Sequence, residues 1–207
     1  MHEHFPTPEP LGFGFAIRPL DPASDAETVH RWTRDPRARF WGMEPKGLEE
    51  IRDIYAWIGD SPTHHAYVIS LDGHDVAVFQ TYDPAHDEVG EAYASRPGDL
   101  GVHLMVGPRE ETPASASPSG GGPGLTTALL GVLAPAVVAR TGARRIVAEP
   151  DARNRAAVER LRSFGFELGE QVWLEGQGKT AQIAVLDVAR SGSSSVARSV
   201  PSDAARS

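Results

Sequence analysis

Cysteine is absent from this sequence of 207 residues. Disulfide bonds, thiolate metal ligands and a cysteine nucleophile are therefore excluded. Apolar runs are short, and none approaches the roughly 18 residues of a membrane-spanning helix. Basic residues are outnumbered, because 20 lysines and arginines face 28 aspartates and glutamates, which gives a formal net charge of −8. That balance argues against nucleic-acid binding, which needs a basic face.

A secretory signal is also missing, since the first residues, MHEHFPTPEP, are acidic and proline-rich rather than basic and then apolar. We therefore expect a cytoplasmic protein. The negative net charge disfavours anionic ligands at long range. A phosphate-bearing ligand must then be held by a local device, such as a set of backbone N–H groups.

Three segments rich in polar residues, proline, serine or glycine are predicted to lack regular structure. Residues 1–12 form an N-terminal extension, and residues 191–207, SGSSSVARSVPSDAARS, form a C-terminal tail. The third segment, residues 108–123, PREETPASASPSGGGP, interrupts the body of the chain. A loop of that length inside a domain is often functional. One domain over residues 13–190 is expected.

Strand-like and helix-like patterns alternate through that domain. Amphipathic or apolar helices are predicted at four places, over residues 24–35 with Ser24 as N-cap, 47–59, 124–142 and 154–166. Strands are predicted over residues 14–20, 65–83 (a hairpin around an Asp-Gly turn), 100–106, 144–152, 168–176 and 180–188. This order predicts an α/β fold with a mixed sheet of about seven strands and about four flanking helices.

Several motifs within residues 14–188 resemble the GNAT family of acyl-CoA transferases. The order of a strand, a glycine-rich loop, a helix, a strand and a helix ending in FGF carries the general likeness. The motifs RWTRDPRARFWGM, FQTYDPAHDEVGEAY, GDLGVHLMVG and AEPDARNRAAVERLRSFGF resemble its siderophore branch more narrowly. That branch contains aerobactin-type hydroxylysine acetyltransferases and mycobactin-type lysine N-acyltransferases. The resemblance implies a mostly antiparallel GNAT sheet and an acyl-CoA co-substrate.

The loop SGGGPGLTT, followed by a helix, is suited to bind the coenzyme A pyrophosphate. Glycines let the backbone approach a phosphate, and the first N–H groups of a helix are unpaired donors. The candidate residues are Gly121, Gly122, Gly124, Leu125 and Thr126. A flexible insertion without function is the alternative. The loop departs from the family pattern at Ser119 and Pro123, which puts the affinity for coenzyme A in doubt.

His103 in GDLGVHLMVG is the first catalytic candidate. Gly101, His103 and Met105 share one face of the predicted strand, so the imidazole can face a cleft without disturbing the packed side. The alternative is a core histidine bonded to a backbone carbonyl. The resemblance implies that Asp151 faces the same cleft, and a carboxylate can orient an imidazole as a general base.

The same strand and the EPDARN motif supply further cofactor candidates. The family uses a backbone N–H near the end of this strand to stabilise the oxyanion, which indicates Met105, Val106 or Gly107. Asn154 begins the helix that follows. Many family members carry a tyrosine acid on that helix, whereas Leu161 stands here.

Candidate acceptor-binding residues are Trp41, Gln80, Tyr82, Asp99 and His103. Trp41 is either core or a pocket wall, and Gln80 and Tyr82 share one strand face. Asp99 could orient His103, bind the substrate amine or cap a turn. The remaining histidines have no metal-ligand spacing, and no metal is predicted.

The combined prediction is an N-acyltransferase that acylates the side-chain amine, N-hydroxylated or not, of a lysine- or ornithine-like siderophore precursor. Two alternatives stay open: a GNAT enzyme acting on another small amine such as an aminoglycoside, and a non-catalytic acyl-CoA-binding module. The expected partner is a small amine. Both a monomer and a homodimer fit the sequence.

Overall fold

A single eight-stranded sheet runs through the part of the protein that the structure describes. The structure is a computed structural model, and it describes residues 4–113 and 124–191. The strands are β1 Glu9–Gly12, β2 Phe15–Pro19, β3 His64–Leu71, β4 His74–Tyr82, β5 Asp99–Val106, β6 Arg145–Ala148, β7 Glu167–Leu174 and β8 Lys179–Asp187. The helices are α1 Pro22–Thr33, α2 Leu48–Asp60, α3 Leu125–Thr141, α4 Arg155–Ser163 and the short α5 Val188–Ser191.

The strand order in the sheet is β1-β2-β3-β4-β5-β6-β8-β7. Every neighbouring pair is antiparallel except β5 and β6, which run parallel. This pairing covers only residues 99–101 of β5 against residues 145–147 of β6. The rest of β5 therefore leaves β6 and opens a gap in the sheet. The predicted α/β class with a mostly antiparallel sheet is confirmed, and β1 is the one strand added to the expected seven.

The N-terminal segment differs from the prediction of disorder over residues 1–12. Phe5 is fully buried and meets Tyr67 edge to face, with ring centroids 5.3 Å apart. Glu9 pairs with Arg140 on α3. The burial of Phe5 could not be predicted from the sequence, because the segment is mostly polar and a single buried aromatic residue produces no periodic pattern.

The first two helices follow their local sequence. Helix α1 begins after Asp21, whose side chain accepts from the Ala23 N–H at 3.0 Å, so Asp21 and not Ser24 is the N-cap. Pro22 fits the first turn because its missing N–H would have no helical partner there. Helix α2 buries Ile51, Tyr55 and Ile58 along one face, as its spacing predicts.

The sheet has a separate apolar core on each face. Helix α3 packs over one face, where Leu129, Leu133 and Val137 are buried with residues of β2 to β5. Helices α1 and α2 pack over the other face, where Met105 of β5 is buried among their side chains. Alternation along β5 then places His103 on the α1 and α2 face, beside the gap between β5 and β6.

Candidate active site

The His103 imidazole lies in a chain of hydrogen bonds formed by three neighbouring strands. Its Nδ1 contacts the Gln80 amide oxygen at 3.1 Å, from the directly opposite position on β4. Its Nε2 makes a short hydrogen bond with Oε1 of Glu149, just after the end of β6. Both ring nitrogens therefore have partners, while about a third of the side chain stays exposed.

The carboxylate that pairs with His103 is Glu149 and not the expected Asp151. Glu149 is completely buried, and its other oxygen accepts a hydrogen bond from the Tyr82 hydroxyl at 2.8 Å. Lys179 on β8 lies 3.7 Å from Oε1. Burial alone would raise the pKa of Glu149, but His103, Lys179 and Tyr82 together hold it below its ordinary value. Glu149 is therefore an anion fixed beneath the imidazole.

Gly101, two residues before His103, leaves room for this arrangement. It lies opposite Tyr82 in the β4–β5 register. A Cβ on Gly101 would come within 2.1 Å of the Tyr82 ring. The glycine of the G-V-H sequence therefore allows the Tyr82 ring to cross the strand and reach Glu149.

Three buried polar atoms meet beside Gln80 without satisfying hydrogen-bond geometry among the described residues. They are Nε1 of Trp41, the hydroxyl of Tyr55 and Nε2 of Gln80. The Trp41 ring stands edge-on to His103, with centroids 5.9 Å apart. Burial raises the pKa of Tyr55, and the nearby Trp41 and Gln80 side chains moderate that rise. Trp41, Gln80 and Tyr82, three predicted substrate residues, thus all adjoin His103.

Asp151 lies two residues beyond Glu149 and has a different partner. Its carboxylate is buried and accepts two hydrogen bonds from the Arg153 guanidinium, the shorter at 2.6 Å. The Arg153 backbone N–H donates to it as well, at 2.8 Å. Hydrogen bonding to Arg153 lowers the pKa of Asp151 below its ordinary value. Asp151 is therefore a weak base in this arrangement.

Asp99 lies at the start of β5, four residues before His103, and its hydrogen bonds go to other residues. It therefore does not orient His103. It forms a buried salt bridge with Arg145, with a shortest distance of 2.5 Å, and accepts from the Tyr93 hydroxyl and the Arg96 N–H. Burial alone would raise the pKa of Asp99, but these three donors lower it. It also lines a cavity of about 470 Å³ near the end of α3.

The end of β5 offers one of its expected backbone donors to the gap. The Gly107 N–H donates to the Val76 carbonyl at 2.9 Å, so it is not free for an oxyanion. Backbone N–H groups point alternately to the two sides of an antiparallel strand. The Met105 N–H therefore also points to β4, and the Val106 N–H points to the gap. A Cβ on Gly107 would meet the Trp32 ring at 2.9 Å, which accounts for glycine there.

The start of α3 has the features of an anion site. Gly124 is the N-cap, with no side-chain capping bond, and the N–H groups of Leu125 and Thr126 lie in the first turn. Among the residues that the structure describes, a Cβ on Gly124 would meet nothing within 4 Å. Arg160 on α4 reaches the Thr127 hydroxyl at 3.3 Å and brings a positive charge to this turn. These features fit a pyrophosphate; Gly121 and Gly122 lie outside the described residues.

Helix α4 follows the Asp151 turn in the chain. Asn154 is its N-cap, and the side-chain oxygen accepts from the Ala157 N–H at 3.2 Å. Leu161, at the position where many family members carry a tyrosine, packs against a buried apolar cluster with Phe166. Within residues 4–113 and 124–191, no group of three or more histidine, aspartate or glutamate side chains is arranged to hold a metal ion. No helix in these ranges is long and apolar enough to cross a membrane.

Residues 21–174 match the family described as acetyltransferase (GNAT) domain. This match covers most of the chain, so the chain belongs to the GNAT acetyltransferase family. Aminoglycoside acetyltransferase AAC(6')-Ib, solved in complex with coenzyme A, shares the fold with a TM-score of 0.70 at 18% identity, over 87% of this chain and 98% of that one.

Three curated relatives bear names connected with aliphatic amines. The N(6)-hydroxylysine O-acetyltransferase of Escherichia coli is 35% identical over 97 residues, which cover 46% of this chain and 30% of that protein. The lysine N-acyltransferase MbtK of Mycobacterium sp. (strain MCS) is 29% identical over 69% of this chain and 55% of its own length. The N-hydroxyputrescine acetyltransferase of Acinetobacter baumannii is 24% identical, with shares of 82% and 76%. The chain thus spans about a third to a half of the first two relatives.

Proposed function

We propose that this protein is an acyl-CoA-dependent N-acyltransferase that acylates the side-chain amine of a lysine- or ornithine-like siderophore precursor, with the N-hydroxylated amine as the preferred acceptor. The names of the three relatives support this choice, since each refers to lysine or to a hydroxylated aliphatic amine. The observation that carries the proposal is the His103–Glu149 pair at the gap between β5 and β6.

In this proposal, the chain's own groups activate the acceptor nitrogen and stabilise the charge that develops. Bound acyl-CoA would supply the thioester carbon: as the nitrogen forms its bond to that carbon, the C–S bond breaks and coenzyme A leaves as the thiolate, to which the proton held by His103 can pass. His103 takes the proton from that nitrogen, and the buried Glu149 carboxylate stabilises the resulting imidazolium. The Nδ1 contact with the neutral Gln80 amide is weaker than the Nε2 contact with a carboxylate, so the substrate replaces Gln80. The Val106 N–H donates to the oxyanion.

The hydroxylated amine suits a site with these groups. An N-hydroxylated amine is less basic than an alkylamine, so more of it is neutral and nucleophilic before any base acts. Asp151, whose pKa is lowered by its hydrogen bonds to Arg153, stays ionised and does not take the proton in place of His103. This leaves His103 as the proton acceptor.

Acyl transfer to a panel of amines tests the proposed function. We expect turnover with acetyl-CoA or a longer acyl-CoA and N-hydroxylysine or N-hydroxyornithine, with slower reaction of lysine and of aminoglycosides. Mass spectrometry and NMR of the product would show acylation on nitrogen rather than on the hydroxyl oxygen. Binding of acyl-CoA without transfer to any amine would instead support a non-catalytic acyl-CoA-binding module, and preference for aminoglycosides would overturn the acceptor class.

Substitution of the two candidate catalytic residues tests their roles. His103→Gln should keep acyl-CoA binding and lower kcat on the order of 10²–10⁴-fold, the usual loss for a general base. Asp151→Asn should lower kcat much less than His103→Gln does, because Asp151 holds Arg153 and does not contact the imidazole. The loss in His103→Gln should shrink as pH rises, because more acceptor is then neutral without help. Full activity of a folded His103→Gln protein would remove the imidazole from the mechanism.

A further inference from the structure

A row of aromatic rings leads from His103 to the protein surface along the α1 and α2 face of the sheet. The Tyr82 ring centroid lies 5.0 Å from that of His103, and the His64 ring stacks on Tyr82 at 5.7 Å with an interplanar angle of 13°. Trp57 on α2 follows, with its ring centroid 5.3 Å from His64. Trp57 is 61% exposed, although large aromatic side chains are usually buried.

Asp87 places a carboxylate beside His64, the third ring of this row. It lies in the connection between β4 and β5, and its Oδ2 is 3.5 Å from Nε2 of His64. Its Oδ1 accepts the Val89 N–H at 2.9 Å and caps the 3-10 helix Glu88–Glu91. The Asp87 side chain keeps 23% of its surface exposed, so a small ligand can reach it.

The carboxylates of Glu149, Asp151 and Glu88 already have close partners. Both oxygens of Glu149 are engaged, by His103 and by Tyr82. Asp151 holds Arg153, and Glu88 accepts the Gly176 N–H at 2.9 Å. Oδ2 of Asp87, with one histidine at the limit of hydrogen-bond distance, therefore has capacity for a further donor.

We infer that Asp87, together with the His64 and Trp57 rings, binds a second, non-reacting ammonium group of the acceptor. A carboxylate and an indole ring that both adjoin His64 are suited to a primary ammonium, which can form an ion pair with the first and a cation–π contact with the second. The inference rests on the proposed function and assigns the residues that bind the second nitrogen of its acceptor. The reacting nitrogen would lie at His103 and the ammonium at Asp87.

The position of Asp87 indicates a distal group rather than the attacking amine. Tyr82 lies between the His64 and His103 rings, so a nitrogen bound at Asp87 is beyond reach of the Val106 N–H and the thioester gap. A monoamine could occupy only one of the two places. An acceptor with two nitrogens joined by a short aliphatic chain could occupy both, which adds affinity without a change in the reacting group.

Calorimetry with two amines of the same chain length tests this inference without turnover. Cadaverine carries a second amine and pentylamine does not, and both are titrated into the full chain saturated with coenzyme A. We expect cadaverine to bind about tenfold more tightly than pentylamine, a typical gain for a partly exposed ammonium site. Asp87→Asn should bring this ratio close to one, because asparagine keeps the helix cap but removes the charge.

Asp83→Asn provides the matched control. Asp83 caps the preceding 3-10 helix through the Ala85 N–H and pairs with the exposed His86, so it resembles Asp87 except for the aromatic row. This variant should keep the wild-type ratio. An equal affinity for the two amines in the wild type, or a ratio that survives Asp87→Asn, would overturn the inference. Acyl transfer to pentylamine as readily as to cadaverine would leave the proposed reaction intact while removing the ammonium site.

Discussion

The hydrogen-bond donors and acceptors around His103 link the protonation of its two ring nitrogens to the orientation of the Gln80 amide. Ionised Glu149 can only accept hydrogen bonds, so Nε2 of His103 must carry a proton. An imidazole that acts as a base at Nδ1 carries no proton there, so an amide oxygen facing Nδ1 does not suit that role. Half a turn of the Gln80 amide would instead direct its NH₂ to a neutral Nδ1 and its oxygen toward Tyr55 and Trp41. That rotation would give the unpartnered donors of Tyr55 and Trp41 an acceptor.

Two buried tyrosines allow a comparison of how much a hydrogen-bond partner of the hydroxyl contributes to the free energy of unfolding. Tyr55 and Tyr82 are equally buried, but only Tyr82 donates a well-formed hydrogen bond, to Glu149. We expect Tyr55→Phe to change the free energy of unfolding by less than about 0.5 kcal/mol, or to raise it. Tyr82→Phe should lower it by about 1–3 kcal/mol, because Glu149 loses a donor in a buried site.

Urea denaturation of both variants would measure this difference. A loss of more than about 1 kcal/mol in Tyr55→Phe would mean that its hydroxyl has a partner in solution, such as the rotated Gln80 amide or a buried water. The Gln80→Leu variant separates these cases, because it removes the amide and leaves a water in place.

Local sequence predicted most elements, whereas long-range contacts decided those that it missed. The ends of α2 and α3 lie within one or two residues of their predicted positions, because glycine and the apolar spacing mark them. Strand β1 was not predicted, since its residues EPLG have no alternating pattern and pair only through contact with β2. Phe5 is held by residues more than sixty positions away, among them Tyr67.

The N-terminal segment gives a prediction at the scale of one element. Phe5→Ala should lower the free energy of unfolding by about 3 kcal/mol, because a fully buried aromatic leaves a cavity. Phe13→Ala is the control, since Phe13 is 70% exposed at the tip of the β1–β2 hairpin, and its change should stay within about 0.5 kcal/mol. Equal small effects in urea denaturation would return residues 1–12 to the predicted disordered extension.

At the scale of the whole molecule, the candidate site was predictable in its residue types but not in its pairing. His103, Gln80, Tyr82 and Trp41 came from strand alternation and motif likeness, and the structure brings them together. Glu149 was missed because the motif directed attention to Asp151. Alternation contained the signal, since a carboxylate two residues before Asp151 lies on the same face of an extended chain. Which of the two reaches His103 depends on where β6 ends, a long-range property.

The net charge of −8 affects coenzyme A binding through the electrostatic potential of the whole molecule. Long-range repulsion opposes a polyanion, so we expect the attraction to come from the first turn of α3 and from Arg160. Two substitutions separate these contributions. Gly124→Asp at the N-cap and Gly131→Asp within α3 change the net charge by the same amount, and a Cβ at either glycine meets nothing within 4 Å in the described parts of the chain. Only Gly124 lies at the helix N-terminus.

We therefore expect Gly124→Asp to raise the Kd for coenzyme A by at least tenfold, because its carboxylate occupies the anion site. Gly131→Asp should raise it by less than twofold, because a charge near the middle of α3 acts only through screened, long-range repulsion. Calorimetry measures both values. Thermal unfolding with coenzyme A at about 100 times the wild-type Kd, which adds about 2.7 kcal/mol to wild-type stability, should show the same order. Equal increases in Kd in the two variants would mean that the total charge causes the weaker binding. The start of α3 would then not be the pyrophosphate site.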